Sequence, residues 1–253
     1  MLTDEFTSAV RSLYVPEMGT EATAPLLYWL IRAIRPRRVL EVGMGYTTPF
    51  LAQALRDNAD AVARERELLG SEQSRVEQPM AHAGYYEQPY EPQLVCVDRM
   101  TDPNSSAPRA LPVLDGLGLS DVVHVIEGDL RGSSGEVRDR FGLVDLAWID
   151  TWDTLAFLRE YWQLIDPAGG MLAMHYLMTY PEGRAVQAYV RSLGRLDGGR
   201  LEITNLCEPH KTGQNSVTLV RRIRDYAEPE DLRPQGAAND PTGVLGELPV
   251  EVR

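Results

Sequence analysis

Residues 38–55 constrain the fold of this chain more than any other stretch. Arg38-Val39-Leu40-Glu41-Val42 is a short apolar run that carries an acid, and Gly43-Met44-Gly45 follows it. An apolar helix then opens at Thr47 or Thr48 and runs through Pro49-Phe50-Leu51-Ala52-Gln53-Ala54-Leu55. Strand, tight turn and helix start within so few residues are the first half of a β-α-β unit, which commits the chain to a parallel sheet. The turn leaves backbone N–H groups at a helix N-terminus, where a ligand with carboxylate or other anionic groups can be held.

The rest of the chain repeats the alternation. Helices are expected from Thr3 or Asp4 to about Leu13, with Phe6, Val10 and Leu13 on one face, and from Thr20 to Arg35. The second has Ala24, Leu27, Trp29, Leu30 and Ile34 as its apolar positions. Strands follow at 94–98, 122–126, 144–150, 171–175, 201–207 and 216–221, with helices near 107–114, 135–141, 154–165 and 181–193 between them. Only Glu208 to Asn215 joins the last two strands, a length that suits a hairpin and makes the final strand antiparallel. The expected architecture is therefore α/β, a doubly wound, mostly parallel seven-stranded sheet of Rossmann-like type. Residues 1–35 read as N-terminal helices that supply an acceptor lid or dimer contacts, and 36–223 as the core. The stretch 58–92, longer than a minimal connection, reads as an insertion that starts helical and forms a lid or an inert surface excursion. Residues 224–253 are rich in Pro, Gly and acids and read as a flexible or subunit-wrapping tail.

Composition removes several function classes. The 253 residues carry a net charge of −12, opposite to what binding nucleic acid or an anionic membrane surface requires. No apolar run approaches the roughly 20 residues of a membrane span. Cys96 and Cys207 both lie in strand-like apolar runs, so two buried, reduced thiols and a cytoplasmic location are expected. No signal peptide is visible at Met1-Leu2-Thr3-Asp4-Glu5-Phe6.

Two ligand classes use a glycine turn of this kind, dinucleotides and S-adenosylmethionine. The dinucleotide fingerprint has a third glycine three positions after the second, where this chain has Thr48. Glu41 also repels a pyrophosphate and suits a cationic ligand bearing an α-amino group and a sulfonium. Charge therefore favours S-adenosylmethionine over a nicotinamide dinucleotide, which stays as the weaker alternative.

Four segments together resemble the class I S-adenosylmethionine-dependent methyltransferases, most closely the small-molecule, catechol-type O-methyltransferases. Val39 to Gly45 resembles the first family motif, and Asp98 matches the acid that grips the ribose hydroxyls. Glu127-Gly128-Asp129 resembles the segment beside the adenine. Trp148-Ile149-Asp150, with Leu164 to Leu172 after it, resembles the fourth- and fifth-strand motifs. The resemblance covers about residues 20–222. It implies a cofactor set of Glu41, Gly43, Gly45, Thr47, Asp98, Arg99, Gly128, Asp129, Asp150, Thr151 and Trp152. Metal-dependent members carry an Asp after strand four and an Asp-Asn pair after strand five. Asp150 matches the first, but Met174-His175-Tyr176 replaces the pair, so no metal is expected.

Methyl transfer to oxygen, nitrogen or an activated carbon needs a base for the departing proton. His175, at the end of strand five, is the first candidate, with His210 in the hairpin connection and Glu17 in the loop before the second helix as further ones. Tyr14, Tyr46, Trp152, Tyr176 and the Tyr85, Tyr86, Tyr90 group are candidates for an aromatic pocket. With the methyltransferase resemblance, the aromatic insertion and the absence of a nucleic-acid footprint point to a small aromatic or amino-acid-derived natural product as acceptor, and the helices before strand one and the tail make a homodimer possible. The alternatives are a protein or peptide acceptor and a methyltransferase-fold binding subunit without catalysis.

Overall fold

A computed structural model describes residues 2–16, 18–69, 85–196 and 200–223. A single seven-stranded sheet has the order β3-β2-β1-β4-β5-β7-β6. Its strands are β1 (Arg38–Val42), β2 (Gln93–Asp98), β3 (Val123–Glu127), β4 (Leu146–Ile149), β5 (Met171–His175), β6 (Arg200–Cys207) and β7 (Ser216–Ile223). The pairs among β3, β2, β1, β4 and β5 are parallel, and β7 runs antiparallel to both β5 and β6. The short connection between β6 and β7 allows no crossover, so β7 returns beside β5.

Helices cover both faces, which is why the central strands are apolar almost without interruption. On one face α1 (Asp4–Val10), α2 (Thr23–Ile34), α3 (Thr48–Leu69) and α4 (Ala107–Gly116) pack with Val39, Leu94, Cys96 and Trp148. On the other, α5 (Ser134–Phe141), α6 (Thr154–Tyr161) and α7 (Glu182–Leu196) pack with Leu40, Val42, Val97, Ile149 and Met174.

Phe6, Val10 and Leu13 are buried, and the Thr3 hydroxyl caps α1 by accepting the Phe6 N–H at 3.1 Å. The expected apolar face of α2 is corrected: Trp29 is 57% exposed, and Tyr28 and Ile31 turn inward instead. Ala24, Leu27, Tyr28 and Ile31 have the i, i+3, i+4, i+7 spacing of one helical face, from which Trp29 is turned away, and polar pairing with α3 secures the same orientation. Tyr28 donates to Asp57 at 2.5 Å, Arg32 to Asn58 at 2.6 Å, and Arg35 forks onto Glu65. No apolar periodicity reports such pairs.

The stretch 58–92 begins as the second half of α3, and residues 70–84 lie outside the described part. The remainder does not reach the glycine turn. Tyr90 donates to the Pro36 carbonyl at 2.8 Å, Tyr86 to Glu65 at 3.0 Å, and Arg66 to the Tyr86 carbonyl at 2.7 Å. These contacts stitch Tyr86 and Tyr90, with the Tyr85 ring packed beside both and under Arg37, to the amino end of β1, opposite the turn at its carboxyl end. The expectation of an aromatic pocket there is therefore corrected. Cys207 corrects another: it is exposed, whereas Cys96 is buried, and both thiols are free. The tail, 224–253, lies outside the described residues.

One contact on the second face fixes how α7 meets the end of β5. A methyl group built on Gly183 would stand 1.5 Å from the Leu177 carbonyl oxygen, with more Leu177 backbone behind it. Backbone cannot swing aside as a side chain can, so α7 must shift. Gly183→Ala is expected to cost about 3 kcal/mol, read as a lowered midpoint in urea unfolding.

Candidate functional site

The glycine turn, the β2–α4 loop and the segment after β4 enclose a cavity of about 370 Å³ at the carboxyl ends of β1, β2 and β4. Open α/β sheets offer their ligand crevice at this place, where the strand order reverses direction. Here the reversal lies between β1 and β4. Gly43 has φ +88°, and a Cβ on it would meet the Asp150 carbonyl at 3.4 Å. The turn needs a residue free to adopt this left-handed conformation.

Asp98 organises the cavity. Its Oδ2 accepts the Met44 N–H at 2.8 Å, and its Oδ1 accepts the Ser105 hydroxyl at 2.6 Å. The carboxylate thus ties the end of β2 to the glycine turn and to the loop before α4, with lone pairs left over for a ligand diol. Arg99 sits at the rim between Asp102 (3.4 Å) and Asp129 (3.2 Å). Asp129 also accepts the Arg131 N–H at 2.8 Å, holding the turn after β3.

The structure brings Gly43, Gly45, Thr47, Asp98, Arg99, Asp129, Asp150, Thr151 and Trp152 onto this one cavity. Glu41 and Gly128 stand behind it. Gly128 donates its N–H to the Asp98 carbonyl at 3.0 Å and packs at Ser133. The Glu41 carboxylate is fully buried and accepts the Thr47 hydroxyl at 2.5 Å and the Cys96 thiol at 3.4 Å. It therefore offers no direct contact to a ligand in this cavity.

Burial pushes the Glu41 pKa up to about 7, against the pull of the hydrogen bonds from Thr47, Thr48 and Cys96. A carboxyl with a raised folded-state pKa gives its full stabilisation below its unfolded value and loses it as pH rises through about 7. Glu41→Gln removes that dependence. The stability difference between variant and wild type is expected to shift toward the variant by on the order of 3 kcal/mol between pH 4.5 and 8. Urea unfolding at both pH values measures it, and a constant difference would show that Glu41 keeps an ordinary pKa.

His175 lies at the end of β5, beside this cavity and walled off from it. Its ring is buried, its Nδ1 is 2.9 Å from Asp150 Oδ1, and Trp148 and Tyr176 flank it. With the Asp150 carboxylate accepting the Nδ1 proton, Nε2 carries the free lone pair. His210 is mostly exposed, with its Nε2 3.8 Å from Glu208, and does not line the cavity. Glu17 lies outside the described residues. Among the described residues no three His, Cys, Asp or Glu side chains gather where they could hold a metal, and no helix is long and apolar enough to cross a membrane.

Sequence reasoning missed Met44, Ser105 and the apolar wall of Leu13, Val15 and Met18. Met44 acts through its backbone N–H, to which side-chain identity is blind. Ser105 sits in a Pro- and Ser-containing loop whose position after an acid-tipped strand is the one signal available.

Seven strands in this order, with β7 antiparallel and a carboxylate at the tip of β2, define the fold of the class I S-adenosylmethionine-dependent methyltransferases. Solved structures agree. The chain is similar to the O-methyltransferase TomG from Streptomyces achromogenes, solved with SAM (18% identity, TM-score 0.56, 88% of this chain and 91% of that one). It is also similar to cofactor-bound Rv0187 from MTB (17%, TM-score 0.56, 85% and 87%) and to the O-methyltransferase from Bacillus cereus in complex with SAH (16%, TM-score 0.54, 86% of each). At these identities the likeness shows the shared fold. No protein-family model matches the sequence, and no curated protein matches it.

Proposed function

We propose that this chain is an S-adenosylmethionine-dependent methyltransferase acting on a small aromatic molecule, without a metal. The observation that carries the reading is the Asp98 carboxylate, tied to the glycine turn and facing a cavity at the topological switch point. When bound, S-adenosylmethionine supplies a methyl group on a positively charged sulfur. Asp98 would accept hydrogen bonds from the ribose hydroxyls, Arg99 and Asp129 would border the base, and the Gly43–Gly45 turn would lie against the amino-acid end.

The acceptor side is supported by aromatic surface and by the dyad. Trp152, 70% exposed, lies 4.8 Å from the Tyr176 ring and 5.0 Å from Tyr180. It forms one wall shared by the cofactor cavity and a groove between α6 and α7. A planar acceptor can stack there. His175, oriented by Asp150, would take the acceptor's proton on Nε2 as the methyl group passes to the acceptor, leaving a neutral thioether. Two free thiols are in keeping with a cytoplasmic enzyme.

Calorimetric titration of the purified protein with S-adenosylmethionine, S-adenosylhomocysteine and NADH tests the cofactor. Micromolar binding of the first two is expected. Binding of NADH alone would overturn the reading, and binding of none would favour a subunit that has lost catalysis.

A further inference from the structure

His175 Nε2 is fully buried and has no hydrogen-bond partner among the described residues. An imidazole lone pair enclosed in protein without a donor costs free energy, and such a group calls for an explanation. Two more unpartnered buried atoms accompany it, the indole N–H of Trp148 and Oε2 of Glu21. Trp148 lies on β4 with its ring 5.6 Å from that of His175.

What covers Nε2 is a contact between two turns. Gly19 has φ +74°, and a Cβ there would stand 2.4 Å from the Gln214 carbonyl and 3.1 Å from His175 Nε2. The Gly19 backbone is therefore pressed between the imidazole and the β6–β7 turn, where no side chain fits. Lys211 holds these parts together. Its Nζ lies 2.6 Å from Glu21, beside the Gly19 turn, and 2.8 Å from Glu208 on the β6–β7 side. Burial opposes the lysine charge, and the hydrogen bonds to Glu208 and Glu21 outweigh it and raise its pKa. The hydrogen bond from Lys211 in turn lowers the pKa of Glu21.

The two sides differ in firmness. The β6–β7 turn is closed by Glu208 N–H to Asn215 O (2.7 Å), Lys211 N–H to Glu208 O (3.1 Å) and Asn215 Nδ2 to Lys211 O (3.0 Å). On the other side, the Thr23 hydroxyl reaches the Gly19 carbonyl at a long 3.3 Å, the Met18 N–H reaches Val15 O at 3.4 Å, and Met18 is half exposed. The Gly19 side is the one that can move.

We propose that Lys211 is a positioning residue for methyl transfer: clamped between Glu21 and Glu208, it holds the Gly19 turn over His175, and the acceptor reaches Nε2 by displacing that turn. The inference rests on the methyltransferase reading and adds to it the acceptor's route and the chemistry it meets. With Nδ1 hydrogen-bonded to Asp150, the uncovered Nε2 is the atom that would accept a hydroxyl's proton, so a hydroxyl-bearing acceptor fits it.

Carbethoxylation by diethyl pyrocarbonate, followed at each histidine by peptide mass spectrometry on the full chain, tests the gate. In the wild type, His175 is expected to react at least about tenfold more slowly than the exposed His210. Lys211→Met should bring His175 to within about threefold of His210, and Lys211→Arg should keep it slow. Should Lys211→Met not fold, as seen by circular dichroism, Glu21→Gln loosens the same clamp from the Gly19 side and should accelerate His175 in the same direction. An unchanged His175 rate in the folded variants would overturn the gate, as would wild-type His175 reacting as fast as His210. Titration with S-adenosylhomocysteine on the same samples reads the cofactor site separately, so a failed gate and a failed methyltransferase reading are distinguishable.

Discussion

Asp98→Ala is expected to weaken S-adenosylmethionine binding by about 100- to 1,000-fold. The side chain has two tasks that the substitution removes together. It accepts the Met44 N–H and the Ser105 hydroxyl, at 2.8 and 2.6 Å, and so holds the glycine turn against the loop before α4. Its remaining lone pairs face the cavity as charge-assisted acceptors for a diol, each bond contributing about 1.5–3 kcal/mol. Asp98→Asn separates the tasks. The amide oxygen still accepts from Met44 while the charge is gone, so a loss nearer tenfold is expected. Calorimetric titration measures both variants, and wild-type affinity in Asp98→Ala would move the cofactor away from this cavity.

His175→Gln is expected to lower turnover about 1,000-fold and to leave S-adenosylmethionine affinity within about threefold of wild type. The reason for the split is position. His175 touches Asp150 at the cavity's edge but does not line the cavity, so its loss falls on proton removal and not on cofactor binding. Glutamine keeps a polar group beside Asp150 and cannot take a proton at neutral pH. Single-turnover measurement with a hydroxylated aromatic acceptor checks the prediction, and unchanged turnover would remove His175 from the chemistry.

Much of the frame was legible in the residues. The apolar run 38–42, the glycine pair and the Thr48 helix start follow local rules, and the structure has β1 at Arg38–Val42 and α3 opening at Thr48. The length of the β6–β7 connection foretold an antiparallel strand, because eight residues cannot carry a crossover. Asp98 and Asp150 were legible because strand ends in such sheets converge on one crevice. Less legible was which side of each helix turns inward. Trp29 is apolar, yet it lies off the i, i+3, i+4, i+7 stripe of Ala24, Leu27, Tyr28 and Ile31 and faces outward, while Tyr28, Arg32 and Arg35 find polar partners on α3 far away in sequence.

The role of Glu41 divides the two kinds of information. Sequence placed an acid beside the glycines and suggested a direct partner for a cationic ligand. The pleat turns that side chain away from the cavity, between Thr47 and Cys96, where burial raises its pKa. The succession of strands and helices along the chain, the glycine turn and the acids at the strand tips were determined by local periodicity and turn chemistry, which each short segment carries within itself. The closure of Gly19 over His175, the clamp on Lys211 and the docking of Tyr85, Tyr86 and Tyr90 at the far end of β1 join residues from 20 to nearly 200 positions apart. Only tertiary packing decides such pairs, because no local rule links segments so distant along the chain.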